Sequence, residues 1–70
     1  MLEAIVYNYL LSKGREKVTF EDLVAHLASH LRNDDVRRGS ARRWKALEII
    51  GGMIASRDIS IMDDGSVKIA

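Results

Sequence analysis

NDDVRRGSARRWKALEIIGGMI, residues 33–54, decides how this chain is read. It contains the single Trp and the one long segment that reads as a basic helix with an apolar back. Residues 32–45 hold six Arg or Lys against two Asp, a local net of +4 in a chain whose net is +1, so the rest carries −3. Such asymmetry is expected where one face meets an anion and the remainder stays solvated. At about 100° per residue, Arg42, Lys45, Ile49 and Gly52 fall along one side of the helix. Arg38 joins them if the helix starts early. Leu47, Ile50 and Ile54 fall on another side, with Arg43 at its N-terminal edge.

The start of this helix is expected at Ser40, a good N-cap, with Asp34 as the other candidate. Gly39 is a poor interior residue, which favours Ser40. Asn33-Asp34-Asp35 reads as a turn. The helix is expected to end on a left-handed glycine at Gly51-Gly52; continuation to Ser56 with both glycines inside is the other reading. Trp44 falls between the two faces and is expected as a partly buried anchor with its indole N–H near water. Base stacking and partner docking are its other readings.

Outward from this stretch the pattern is regular. Leu2, Ile5, Val6, Tyr9 and Leu10 recur at helical spacing, so helix 1 is expected over residues 2–13, closed by Lys13 and Gly14. Val18-Thr19-Phe20 is β-prone and short. Thr19 suits the cap of helix 2, over residues 21–31, with Leu23, Val24, Leu27, Ala28 and Leu31 on one side. Ile59-Ser60-Ile61 and Val67-Lys68-Ile69 alternate around Asp63-Asp64-Gly65-Ser66, so a hairpin is expected over residues 59–69. Its Ile59, Ile61, Val67 and Ile69 are the residues to pack on the helices. Seventy residues make one domain, 1–70, with a thin core and no Cys to staple it.

Helix, short strand, helix, turn, helix, hairpin is the order of a winged-helix domain. ARRWKALEIIGGMIASR, residues 41–57, resembles the recognition helix and following turn of winged helix-turn-helix regulators. Those often read as a basic helix, then Lys-Ala-Leu-Glu, two residues, Gly and an apolar pair. Here these are Lys45-Ala46-Leu47-Glu48, Ile49-Ile50, Gly51 or Gly52, and Met53-Ile54. TFEDLVAHLA, residues 19–28, resembles the second helix of such domains. Two glycines stand where one is usual, the wing tip is the acidic Asp63-Asp64, and the turn before helix 3 carries two Asp.

The resemblance implies a small α+β winged-helix domain of three helices and a C-terminal β-hairpin wing. It also implies binding of double-stranded DNA by helix 3, as in a transcription regulator. Arg42 and Lys45 are then the lead contacts in the major groove, with Arg38 and Arg43 on phosphates and the Ser40 cap placing free N–H groups near a phosphate. The alternative is a winged helix that docks protein within a larger nucleic-acid-processing assembly. The apolar half of helix 3 points to a homodimer through helix 3 or helix 1, with small residues at Gly51 and Ala55 and at Gly52 and Ser56 allowing close approach if helix 3 continues.

Other chemistry finds little footing. Asp22, His26 and His30 form a stripe at i, i+4, i+8, expected as a solvated polar face and not a zinc site. No Gly-rich phosphate loop or nucleophile with a base is legible, so neither an enzyme nor a cofactor is expected. Ser29 and His30 are adjacent and do not face each other on a helix. The most apolar stretch is ten residues long, residues 46–55, about half a membrane span. With no leader pattern, an intracellular, cytoplasmic protein is expected.

Overall fold

The computed structural model describes residues 2–31 and 41–70. Its element order is α1 (Leu2–Lys13), β1 (Val18–Thr19), α2 (Phe20–Ser29), α3 (Ala41–Ala55), β2 (Ile59–Ile61) and β3 (Ser66–Ile69). The fold is α+β: among the described residues there are three helices and a three-stranded antiparallel sheet in the order β1-β3-β2. Asp34, Asp35, Arg38 and Ser40, and with them the turn and cap expected before α3, lie outside the described residues.

Local chemistry sets the first half. α1 closes on Gly14 at φ +59, whose N–H donates to the Leu11 carbonyl at 3.2 Å, the left-handed stop that glycine adopts without a Cβ clash. Thr19 caps α2, its Oγ1 accepting from the Asp22 N–H at 3.1 Å. α2 ends earlier than its apolar spacing predicts. His30 and Leu31 instead make tight i→i−3 bonds to Leu27 and Ala28 at 3.0 and 3.3 Å, the tightened last turn common at helix ends.

The hairpin forms where Asp-Gly predicts it. The Gly65 N–H donates to the Met62 carbonyl at 2.9 Å and the Met62 N–H to the Ser66 carbonyl at 2.7 Å. With Gly65 at φ +86, this is a three-residue loop ending in a left-handed glycine. Asp64 builds that loop: its carboxylate accepts from the Ser66 N–H at 2.9 Å and the Ser66 hydroxyl at 2.6 Å, and from Lys17 Nζ at 2.7 Å. These bonds hold its carboxyl well below the usual carboxylate range, the Lys17 bond contributing most. The Phe20 N–H donates to the Gly65 carbonyl at 3.0 Å, so the hairpin loop is fixed to the start of α2. β3 sits between the other strands, pairing Val67 with Val18 and with Ile61, and Ile69 with Ile59.

The core takes Val6 and Leu10 from α1, Leu23, Val24 and Leu27 from α2, Ala46, Ile50 and Met53 from α3, and Val18, Ile59 and Val67 from the sheet. Of the four hairpin residues expected to pack, Ile59 and Val67 are buried and Ile69 is half-buried, but Ile61 is 48% exposed. It stands at the end of an edge strand, where the helices no longer cover it.

The end of α3 corrects the sequence reading. The helix passes through Gly51 and Gly52 and stops at Ala55. Arg57 takes the left-handed place at φ 65. Its N–H donates to the Ile54 carbonyl at 3.0 Å and the Asp58 N–H to the Met53 carbonyl at 2.9 Å, the paired bonds of a Schellman stop. Burial of Ile50 and Met53 on either side of the glycines outweighs their poor propensity, about 1 kcal/mol each. A Cβ built on either glycine meets nothing within 4 Å. Gly51→Ala and Gly52→Ala should therefore each stabilise the fold by about 1 kcal/mol in urea unfolding. A loss of stability in both variants would contradict a continuous helix.

Candidate nucleic-acid interface

The buried stripe of α3 is Ala46, Ile50 and Met53, about one position round from the Leu47, Ile50 and Ile54 expected. Leu47, Ile49 and Ile54 are half-buried at its flanks. That rotation decides where every charge on the helix goes.

Arg42 stands one turn before Ala46 and so lies on the inner side. It is half-buried, and its Nη1 donates to the carbonyl of Leu31, just beyond the end of α2. The guanidinium thus meets the carbonyl-rich, electronegative end of that helix. Arg43 lies at the edge. Its Nη2 is 3.0 and 2.9 Å from the two carboxylate oxygens of Glu21 at the start of α2. Both side chains are more than half exposed, so this bridge is worth at most about 1 kcal/mol and exchanges readily for another anion. Lys45 is half-exposed and has no ion-pair partner among the described residues.

Trp44 departs from the expected anchor: it is 74% exposed. It heads the outermost stripe of α3, followed by Glu48, Gly51 and Ala55, all exposed. Beside Gly52, the carboxylates of Glu3, Glu48 and Asp58 line one cleft. The expected cationic side running from Arg42 to Gly52 is thus divided. Arg42 turns inward, Ile49 is half-buried, and the second half of the helix borders three acids. Arg43, Trp44 and Lys45 share the first exposed turn. Arg38 and Ser40, the remaining expected contacts, lie outside the described residues.

Asp22 and His30 of the expected polar stripe are exposed, whereas His26 is half-buried. Tyr9 of α1 stacks on His26 with ring centroids 3.8 Å apart and planes at 17°. His30 lies 4.3 Å from His26 at a 38° tilt. His30 Nδ1 is 2.9 Å from the His26 carbonyl and 3.1 Å from the Ser29 hydroxyl, so Ser29 and His30 do meet although they are adjacent. Burial lowers the His26 pKa, with smaller contributions from His30 and Lys13. Among the described residues no group of three or more His, Cys, Asp or Glu is placed to hold a metal ion, and no helix is long and apolar enough to cross a membrane.

Sequence reasoning missed the Glu21–Arg43 pair and the Tyr9–His26 stack, because both join separate helices. The inward turn of Arg42 carried a local signal: it is four residues before Ala46, hence on the same face. No family model, curated protein or solved structure matches the chain.

Two predictions follow from these placements. Arg42→Ala should cost about 1–2 kcal/mol in equilibrium unfolding, as expected for a lost charge-assisted bond to a carbonyl, whereas Lys45→Ala should stay within about 0.5 kcal/mol. Equal losses would mean that Arg42 holds nothing in place. For His26, a lowered folded pKa means the unfolded chain binds the proton more readily. Its contribution is therefore intact above about pH 6.5 and declines as pH falls through that value. The melting temperature should drop between about pH 7.5 and about pH 5, and His26→Phe, which keeps the ring stack, should flatten the drop. An unchanged slope in the variant would assign the pH dependence elsewhere.

Proposed function

We propose that this chain binds double-stranded DNA through the first half of α3 and the arginine-rich run leading into it, as a winged-helix regulator or accessory protein. One observation carries the reading: at the end of a segment of net +4, the first turn of α3 exposes Arg43 and Trp44 and leaves Lys45 half-exposed on the other flank of Trp44. The frame supports it. Helix, strand, helix, helix and hairpin, with the sheet ordered β1-β3-β2, is the arrangement expected of a winged helix. An α-helix fits the major groove of B-DNA, where Lys45 and Arg43 reach phosphates or guanine edges and an apolar ring such as Trp44 meets a thymine methyl.

Arg42, expected as a lead contact, serves here chiefly to hold α3 against the end of α2. The acidic loop of the hairpin is a structural device, since Asp64 is committed to Ser66 and Lys17. Within the described residues, the proposed DNA contact therefore falls on the N-terminal part of α3.

A second reading, docking to a protein, is favoured by the exposure of Trp44 and by the acids beside the second half of α3. Fluorescence anisotropy with a random-sequence duplex, at low and moderate salt, separates the two. DNA binding predicts affinity that falls steeply with salt. The Arg43→Ala/Lys45→Ala double variant should bind more weakly, with a log–log slope shallower by about 2 because each phosphate contact contributes about 0.9. No binding at low salt, or an identical slope in the double variant, would sink the DNA reading and leave Trp44 as a protein-docking residue.

A further inference from the structure

A groove of about 330 Å³ opens between the C-terminal end of α1 and the sheet, on a different part of the surface from the α3 turn just described. Its floor is apolar: Leu10, Val18 and Val67 are buried and Ile69 is half-buried. Its walls carry Leu11 and Met62, which are 67% and 42% exposed. Leu11 and Met62 extend the apolar floor to the rim of the groove.

The charges around the groove choose its occupant. Arg15, Lys17 and Lys68 line it, against the single acid Glu16. Lys17 is occupied by Asp64 at 2.7 Å. Arg15 and Lys68 have no ion-pair partner among the described residues. An apolar trough with unpaired cations at its edge complements a molecule with an apolar body and one anionic end. The volume lies at the lower end of the range for small-molecule sites, enough for one short chain or ring and too small for a folded partner.

We propose that this groove binds a small apolar carboxylate, its body on Leu10, Val18 and Val67 and its anionic group between Arg15 and Lys68. The exposed Leu11 and Met62 side chains close over the body of the ligand, which removes their apolar surface from water together with that of the ligand. The inference is independent of the DNA reading, because none of these residues belongs to α3.

Calorimetric titration of the whole chain with decanoate tests it, with decyltrimethylammonium as the probe of equal chain and opposite charge. Saturable one-to-one binding of decanoate is expected, with the ammonium probe at least about tenfold weaker. Arg15→Ala/Lys68→Ala should weaken decanoate by about tenfold, some 1.4 kcal/mol shared between two exposed contacts. Both substitutions are on exposed side chains, so the fold should persist, and the anisotropy titration with DNA should be unchanged. Absence of saturable decanoate binding, equal binding of the two probes, or an unaffected double variant would each overturn the proposal. So would methyl signals of Leu11 and Met62 that shift with protein concentration alone, since these would assign the groove to a second copy of the chain.

Discussion

The burial of Ala46, Ile50 and Met53 against α2 and α1 is the contact on which the remainder depends. Without disulfides, a domain of this size has only a thin apolar core to hold it, and α3 supplies three of its fully covered side chains. Once that stripe is inside, the helical period leaves no freedom for the others. Arg42 goes in with it, Trp44 goes out, and Arg43 and Lys45 are left on opposite flanks. Packing on one side of the helix thereby sets which side chains are offered on the other.

The same economy governs charge. The chain is close to neutral, yet its charges are sorted by position: cations around the first turn of α3 and the end of α1, and acids beside the second half of α3 and in the hairpin loop. Part of this sorting is structural. Asp64 organises the loop that carries it and fixes Lys17, and Arg42 neutralises the carbonyl end of α2. Part is left over: Lys45, Arg15 and Lys68 have no ion-pair partner among the described residues, and Arg43 is held only by the exposed Glu21. These cations mark the two surfaces proposed to meet other molecules. They lie on different elements, one on α3 and one between α1 and the sheet.

Polar stacking ties α1 to α2. Tyr9 and His26 meet face to face, and His30 extends the column with its Nδ1 turned onto its own helix. Burial of the His26 ring against Tyr9 makes the joint sensitive to protons in a range where the carboxylates are ionised. That joint loses stabilisation as pH falls through the ordinary histidine range.

Element order and most boundaries follow from short-range pattern. Glycine after a helical run, threonine just before an apolar helix, and Asp-Gly between alternating strands each act over three or four residues, so Gly14, Thr19 and Gly65 do what their neighbours predict. The buried faces of α1 and α2 follow likewise from spacing alone. What spacing left open was the end of α3 and its rotation. Gly51 and Gly52 favour a stop locally, but Ile50 and Met53 are worth more in the core than the glycines cost in propensity, and the helix continues to a left-handed Arg57 instead. Several side chains at the apolar–polar edge of α3 had two acceptable settings, and contact with α2 and α1 selected one. The pairings of Arg42 with Leu31, Arg43 with Glu21, Lys17 with Asp64 and Tyr9 with His26 join residues 11 to 47 positions apart along the chain. Only the packed helices and sheet bring such residues within reach, so these contacts, and the surfaces they leave exposed, belong to the tertiary structure.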